Sequence, residues 1–217
     1  YNPEHQFLAS RGYAVLSMNF RGSTGYGRNH VKMANGQWGR KMQDDVTDSV
    51  NWAVEQGIAD PDNVCIYGAS YGGYAVMAGI TKTPKMYKCA VNYVGVTDMG
   101  LLFSKMPKVW EIWEEQQKVE IGDYDSDKEY LDAVSPINLV DRIETPLYIV
   151  HGVRDWRVPI QHAQKLKREL EKNGKVEGED FWWMVKTDEG HGFYKEANKM
   201  ELYSELEKFF GRYLKDS

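Results

Sequence analysis

Short apolar runs alternate with longer amphipathic stretches along this chain of 217 residues. "YAVLSMNF" (13–20), "VCIYG" (64–68), "KCAVNYVG" (88–95), "PLYIVHG" (146–152) and "FWWMVK" (181–186) read as five strands of a buried sheet. Helical periodicity fills the gaps. In "DDVTDSVNWAVEQG" (44–57), Val46, Val50, Ala53 and Val54 share one face, Asp44 and Asp45 sit at the positive end, and Gly57 is placed to stop the helix. "GYAVMAGITK" (73–82) is a helix of small residues, and "IQHAQKLKRELEKNG" (160–174) is amphipathic up to Gly174. "YKEANKMELYSELEKFFGRYL" (194–214) is the last helix. Strand–helix–strand alternation with apolar strands predicts an α/β fold, a mostly parallel sheet with helices on both faces. Ligands of such sheets bind beyond the carboxyl ends of the strands, so reactive residues are sought just after strands.

One segment breaks the rhythm. Residues 97–136 form a long, aromatic and acidic excursion between two strands. It reads either as a lid or pocket wall, or as packing helices with Trp110 and Trp113 in a small local core.

Composition narrows the function. Basic residues number 27 and acidic residues 32, a net charge of −5 that disfavours nonspecific binding to nucleic acid or an anionic membrane. No apolar run is long enough to span a bilayer. Cys65 and Cys89 fall in predicted strands and read as two reduced core thiols. No CxxC or HExxH pattern marks a metal site. The opening "YNPEHQFLASRGYAV" carries neither an initiator methionine nor a signal peptide, and reads as starting in mid-domain.

The chemistry centres on "GASYGGY" (68–74). Gly68 and Gly72 flank Ser70 at −2 and +2, as a serine on a sharp strand-to-helix turn requires. With 20 glycines and ten serines in 217 residues, one GxSxG arises by chance with a probability of about 8%, so context has to decide. A serine hydroxyl needs a base, and the base needs an orienting carboxylate. Of the five histidines, His191 in "TDEGHGFY" lies between the last strand and the last helix, with a glycine on each side. His151 ends a strand and reads as a turn residue beside Gly152. Asp155 follows strand 146–152 and is the candidate acid; Asp98, after strand 88–95, is its rival. The order Ser70, Asp155, His191 is that of an α/β-hydrolase rather than of chymotrypsin or subtilisin.

"NFRGSTGYG" (19–27), "GASYGGY" (68–74), "SPINLVDRIETPLYIVHGVRDWRVP" (135–159) and "GHGF" (190–193) resemble, in order, the catalytic domain of the prolyl oligopeptidase family of serine peptidases. The likeness is to its dipeptidyl-peptidase and acylaminoacyl-peptidase branches. It implies an α/β-hydrolase domain over residues 1–217, a Ser70–Asp155–His191 triad and no cofactor. It implies the Tyr71 N–H as an oxyanion donor, Arg157 as a ligand of a substrate carbonyl, and Tyr71, Val94 and Val158 as pocket walls. Arg21 is read as a structural hydrogen-bonding residue. The resemblance further implies short-peptide substrates, an N-terminal β-propeller, and a second oxyanion donor and first sheet strands upstream of this segment. A cytoplasmic location and a homo-oligomer are separate expectations. A carboxylesterase on the same triad and a noncatalytic binding domain remain as alternatives.

Overall fold

The structure, a computed structural model, describes residues 1–214. Its sheet is built from β1 (Cys65–Ala69), β2 (Cys89–Tyr93), β3 (Leu147–Gly152) and β4 (Phe181–Lys186), in that spatial order, with every neighbouring pair parallel. Nine α-helices surround it among the described residues: α1 (Pro3–Ser10), α2 (Arg28–Lys32), α3 (Lys41–Glu55), α4 (Tyr71–Lys82), α5 (Met99–Ser104), α6 (Glu114–Glu120), α7 (Lys128–Ala133), α8 (Gln161–Lys172) and α9 (Glu196–Tyr213). Two 3₁₀ segments lie at Lys108–Trp113 and Pro136–Arg142.

The period of two along β3 explains the layers. Leu147 and Ile149 face a core shared with Met77 and Ile80 of α4 and Leu166 and Leu170 of α8. Tyr148 and Val150 face the opposite core, with Leu206, Phe209 and Phe210 of α9. All six residues of β3 are buried, which is why Leu147 to Val150 carry large hydrophobic side chains. Helix α4 is buried without interruption from Gly73 to Thr81, so its small residues let it lie close on the sheet.

Three expectations change. Residues 13–20 were expected as a strand, but they join no ladder, and Val15 and Leu16 are exposed. An apolar run specifies a strand only where a neighbouring strand supplies its hydrogen bonds. Cys65 and Cys89 are not free thiols. They are direct partners in the β1–β2 register, with Cα atoms 4.8 Å apart, and are joined as a disulfide. Register, which sequence does not reveal, is what brings them together. Within 97–136, Met99, Leu102, Ile121 and Leu131 do bury themselves in a local core with Tyr74 and Val96, but Trp113 is exposed and lies outside it. Arg21 behaves as expected: its guanidinium and main-chain N–H grip the Asp45 carboxylate at 2.6–2.9 Å.

A buried histidine ties α8 to the excursion. His162 is fully buried, and the Thr97 N–H donates to its Nδ1 at 3.2 Å, which leaves the hydrogen on Nε2. Burial, aided by His151, pushes the His162 imidazole down to about 4. An unfolded chain protonates this ring near the reference value of ~6.5, whereas the folded chain does so only near 4. Between those values the unfolded state binds the extra proton, so stability falls as pH falls. Burial lowers His151 as well and adds to the same slope. Thermal melts are expected to drop steadily between about pH 6.5 and pH 4, and His162→Gln is expected to flatten that dependence in part.

Candidate active site

Strand β1 ends at Ala69 and α4 begins at Tyr71, so Ser70 alone makes the turn. It does so at φ +60° and ψ −117°, a left-handed conformation unfavourable for a residue with a Cβ. The turn is held from both sides: the Ser70 N–H donates to the Tyr93 carbonyl at 3.0 Å, and the Ser70 carbonyl accepts the Tyr74 N–H at 3.1 Å. The flanking glycines are not equivalent. A Cβ on Gly68 would stand 2.5 Å from the Gly72 carbonyl carbon and oxygen, whereas a Cβ on Gly72 would meet open space. The second obligatory glycine is Gly73, whose Cβ would come within 2.5 Å of the Gly95 Cα.

The three residues expected to act together are brought together. His191 Nε2 lies 2.9 Å from Ser70 Oγ, and His191 Nδ1 lies 2.7 Å from Asp155 Oδ2. The Asp155 side chain is fully buried and that of His191 is 15% exposed. Because an ionised carboxylate only accepts, Nδ1 carries the hydrogen and Nε2 is left to accept the serine O–H. Asp155 Oδ1 accepts the main-chain N–H groups of Arg157 and Val158, each at 2.9 Å. The rival Asp98 is committed elsewhere. It caps α5 through the Leu101 N–H at 3.0 Å and pairs with Lys165. Burial raises its carboxyl, but the hydrogen bond from Lys165 and the Leu101 N–H more than offset this, and the net shift is downward.

Beside Ser70 and His191 opens a cavity of about 300 Å³. Its walls include Trp38, Tyr71, Leu102, Trp110, Arg157 and Val158. From the 97–136 excursion, Leu102, Met106, Trp110, Trp113, Gln117 and Ile121 lie along this cavity. Tyr71 packs edge-on against Trp38, ring centroids 4.5 Å apart. Val94 departs from expectation. It is buried, at φ +46°, and is not among the lining residues; its N–H donates to the Val150 carbonyl at 2.8 Å. Its work is to turn the chain after β2, an outcome that side-chain type does not announce. Arg157 reaches the cavity and forms no ion pair among the described residues; its guanidinium lies 5.4 Å from the Trp156 ring centroid.

A family model described as "Prolyl oligopeptidase family" matches residues 1–217. The chain belongs to the prolyl oligopeptidase family. It is 40% identical over 217 residues to dipeptidyl aminopeptidase BIII of Pseudoxanthomonas mexicana, covering 99% of this chain and 31% of that protein. It is 36% identical over 212 residues to dipeptidyl peptidase family member 6 of Caenorhabditis elegans, covering 96% of this chain and 28% of that one. Among solved structures, a puromycin-hydrolyzing peptidase of Mycobacterium tuberculosis superimposes with a TM-score of 0.83 at 26% identity, over 92% of this chain and 29% of that one. The fold is thus that of an α/β-hydrolase. The chain spans less than a third of the length of these relatives.

Two residues at the site escape sequence reasoning. Tyr93 ties both reactive loops to β2: its carbonyl holds the Ser70 N–H, and its hydroxyl accepts the Phe193 N–H, two residues after His191. Glu189 is buried and accepts the N–H groups of Tyr194 and Lys195, each at 2.9 Å, and Asn198 Nδ2 at 2.8 Å. Burial raises its carboxyl, yet these donors prevail and hold it below the usual carboxylate range. The run of acids at 188–189 is the only trace of this anchor in the sequence. The glycine asymmetry gives a direct test. Gly68→Ala is expected to cost several kcal/mol or block folding, because backbone rather than a flexible side chain opposes the new methyl. Gly72→Ala is expected to change the melting temperature by a few degrees at most. Paired thermal melts and expression yields separate the two.

Proposed function

We propose that this chain is the catalytic part of a serine peptidase that cleaves short peptides through an acyl-enzyme. The observation that carries the reading is the unbroken hydrogen-bond chain from Asp155 through His191 to Ser70. Ser70 Oγ attacks the scissile carbonyl carbon while its proton passes to His191 Nε2. The imidazolium so formed is stabilised by Asp155, and the oxyanion is received by the Tyr71 N–H at the free N-terminal end of α4. The C–N bond then breaks as His191 returns the proton to the leaving amine. Water, deprotonated by the same nitrogen, releases the acyl group and restores Ser70.

The cavity supports an apolar side chain on the acyl residue, because its walls are mainly aromatic and aliphatic. In this reading Arg157, which lines the same cavity, binds a substrate carbonyl. The relatives named as dipeptidyl peptidases favour release of dipeptides, and their greater length leaves room for the β-propeller that the resemblance implies.

Three measurements test this reading in the intact protein. A fluorophosphonate probe is expected to label Ser70, and Ser70→Ala is expected to abolish both labelling and turnover with an unchanged melting temperature. Peptide-amide reporters are expected to be hydrolysed; turnover of esters alone would replace the peptidase with an esterase. Turnover is expected to fall toward acid pH, since a protonated His191 cannot take the serine proton. A rate that does not fall on acidification removes His191 from the role of base.

A further inference from the structure

Behind the carboxylate of Asp155 lies a second imidazole that the mechanism above does not use. His151 stands on β3, is 1% exposed, and packs between the strand and the loop that follows it. Its Nε2 lies 2.8 Å from the Val158 carbonyl oxygen. A carbonyl can only accept, so the hydrogen sits on Nε2. That nitrogen also approaches Asp155 Oδ2 at 3.6 Å, too far for a hydrogen bond and close enough to be felt electrostatically.

These bonds close a ring. His151 Nε2–H holds the Val158 carbonyl, and the Val158 N–H holds Asp155 Oδ1. The other carboxylate oxygen is the one that orients His191. Val158 is also a wall of the cavity beside Ser70. One side chain of β3 therefore fixes Val158, and Val158 in turn sets both the acid's rotation and the shape of the acyl pocket. Strand β3 is the most deeply buried element of the sheet, which makes it a rigid post for this purpose.

We propose that His151 is a positioning residue for the acyl-transfer reaction: through the Val158 carbonyl it locks the turn that aims the Asp155 carboxylate at His191. The proposal rests on the triad reading given above. The charged and titratable groups facing His151 are Asp155 and His191 on the loops after β3 and β4, and His162 on α8. Burial keeps His151 in its neutral form, and that is the form the ring requires, with one hydrogen on Nε2 and no positive charge competing with His191 for Asp155.

The test compares three variants in the intact protein. In His151→Gln the side-chain amide takes the place of Nε2 and keeps a donor for Val158. His151→Asn is one methylene shorter and does not reach. His151→Phe fills the volume without a donor. Expected results are a kcat/KM for His151→Gln within about threefold of wild type, and a loss of about 10- to 100-fold for His151→Asn and His151→Phe. In those two variants the acid limb of the pH profile moves to lower pH, because a misaligned carboxylate stabilises the His191 imidazolium less. A role in packing alone would instead spare His151→Phe, or slow all three variants with the acid limb unmoved, and either result overturns the proposal. If His151→Phe does not fold, His151→Asn set against His151→Gln decides. Fluorophosphonate labelling of wild type separates the two failures. An unlabelled Ser70 sinks the triad reading and this proposal with it. A labelled wild type whose variants are unaffected sinks only the role of His151.

Discussion

The bond from His191 Nδ1–H to Asp155 Oδ2 is the interaction on which the rest of the site depends. It commits the imidazole to one tautomer, and only that tautomer presents a bare nitrogen to Ser70. The cost of keeping it is a carboxylate with no exposure to solvent. Such an anion persists in a fold only when donors replace its water, and three N–H groups do so: one from His191 and two from the main chain at Arg157 and Val158. The loop after β3 is shaped around this requirement. Asp155 is as much a structural centre of its turn as a partner of the histidine.

The sheet turns this local chemistry into a shared geometry. Ser70 follows β1, Asp155 follows β3 and His191 follows β4, while the last residue of β2, Tyr93, supplies the carbonyl that holds Ser70. Because all four strands run in parallel, their carboxyl ends meet along one rim. The loops there interlock at backbone level. A Cβ on Gly152, at the end of β3, would strike the carbonyl oxygens of Glu189 and Gly190 at 2.5 and 2.3 Å. The strand before Asp155 and the loop that carries His191 are thus in contact before any side chain is considered. Loops so tightly nested cannot shift independently, which suits the proposed reaction, since it needs Ser70, Asp155 and His191 aligned.

Much of this was legible in the sequence, and the limits are physical. Apolar runs at 64–68, 88–95, 146–152 and 181–186 became strands because each has hydrogen-bonded neighbours; the similar run at 13–20 has none and joined no ladder. Ser70, Asp155 and His191 were recognisable because each reactive type follows a strand, a rule that survives without knowledge of pairing. Contacts set by register or by loop shape were not. The Cys65–Cys89 disulfide needs the β1–β2 alignment, and the left-handed turn at Val94 needs the Val150 carbonyl opposite it. Glu189 and Tyr93 act through main-chain groups of residues whose side chains give no sign of it. Trp113 looked like core from its spacing and proved to be half out in solvent, since periodicity marks a face but not what covers it.

The tryptophans of the cavity carry a last implication. Trp38, Trp110 and Trp113 all stand along its wall, out of seven indoles in the chain. Trp156, at 6.0 Å from Trp110 and more than half exposed, extends the group outward. A guest settling against these rings would strip water from them and alter the colour and intensity of the light they emit. The molecule thus carries its own optical gauge of occupancy, one that needs no label on the guest and no bond to be cut.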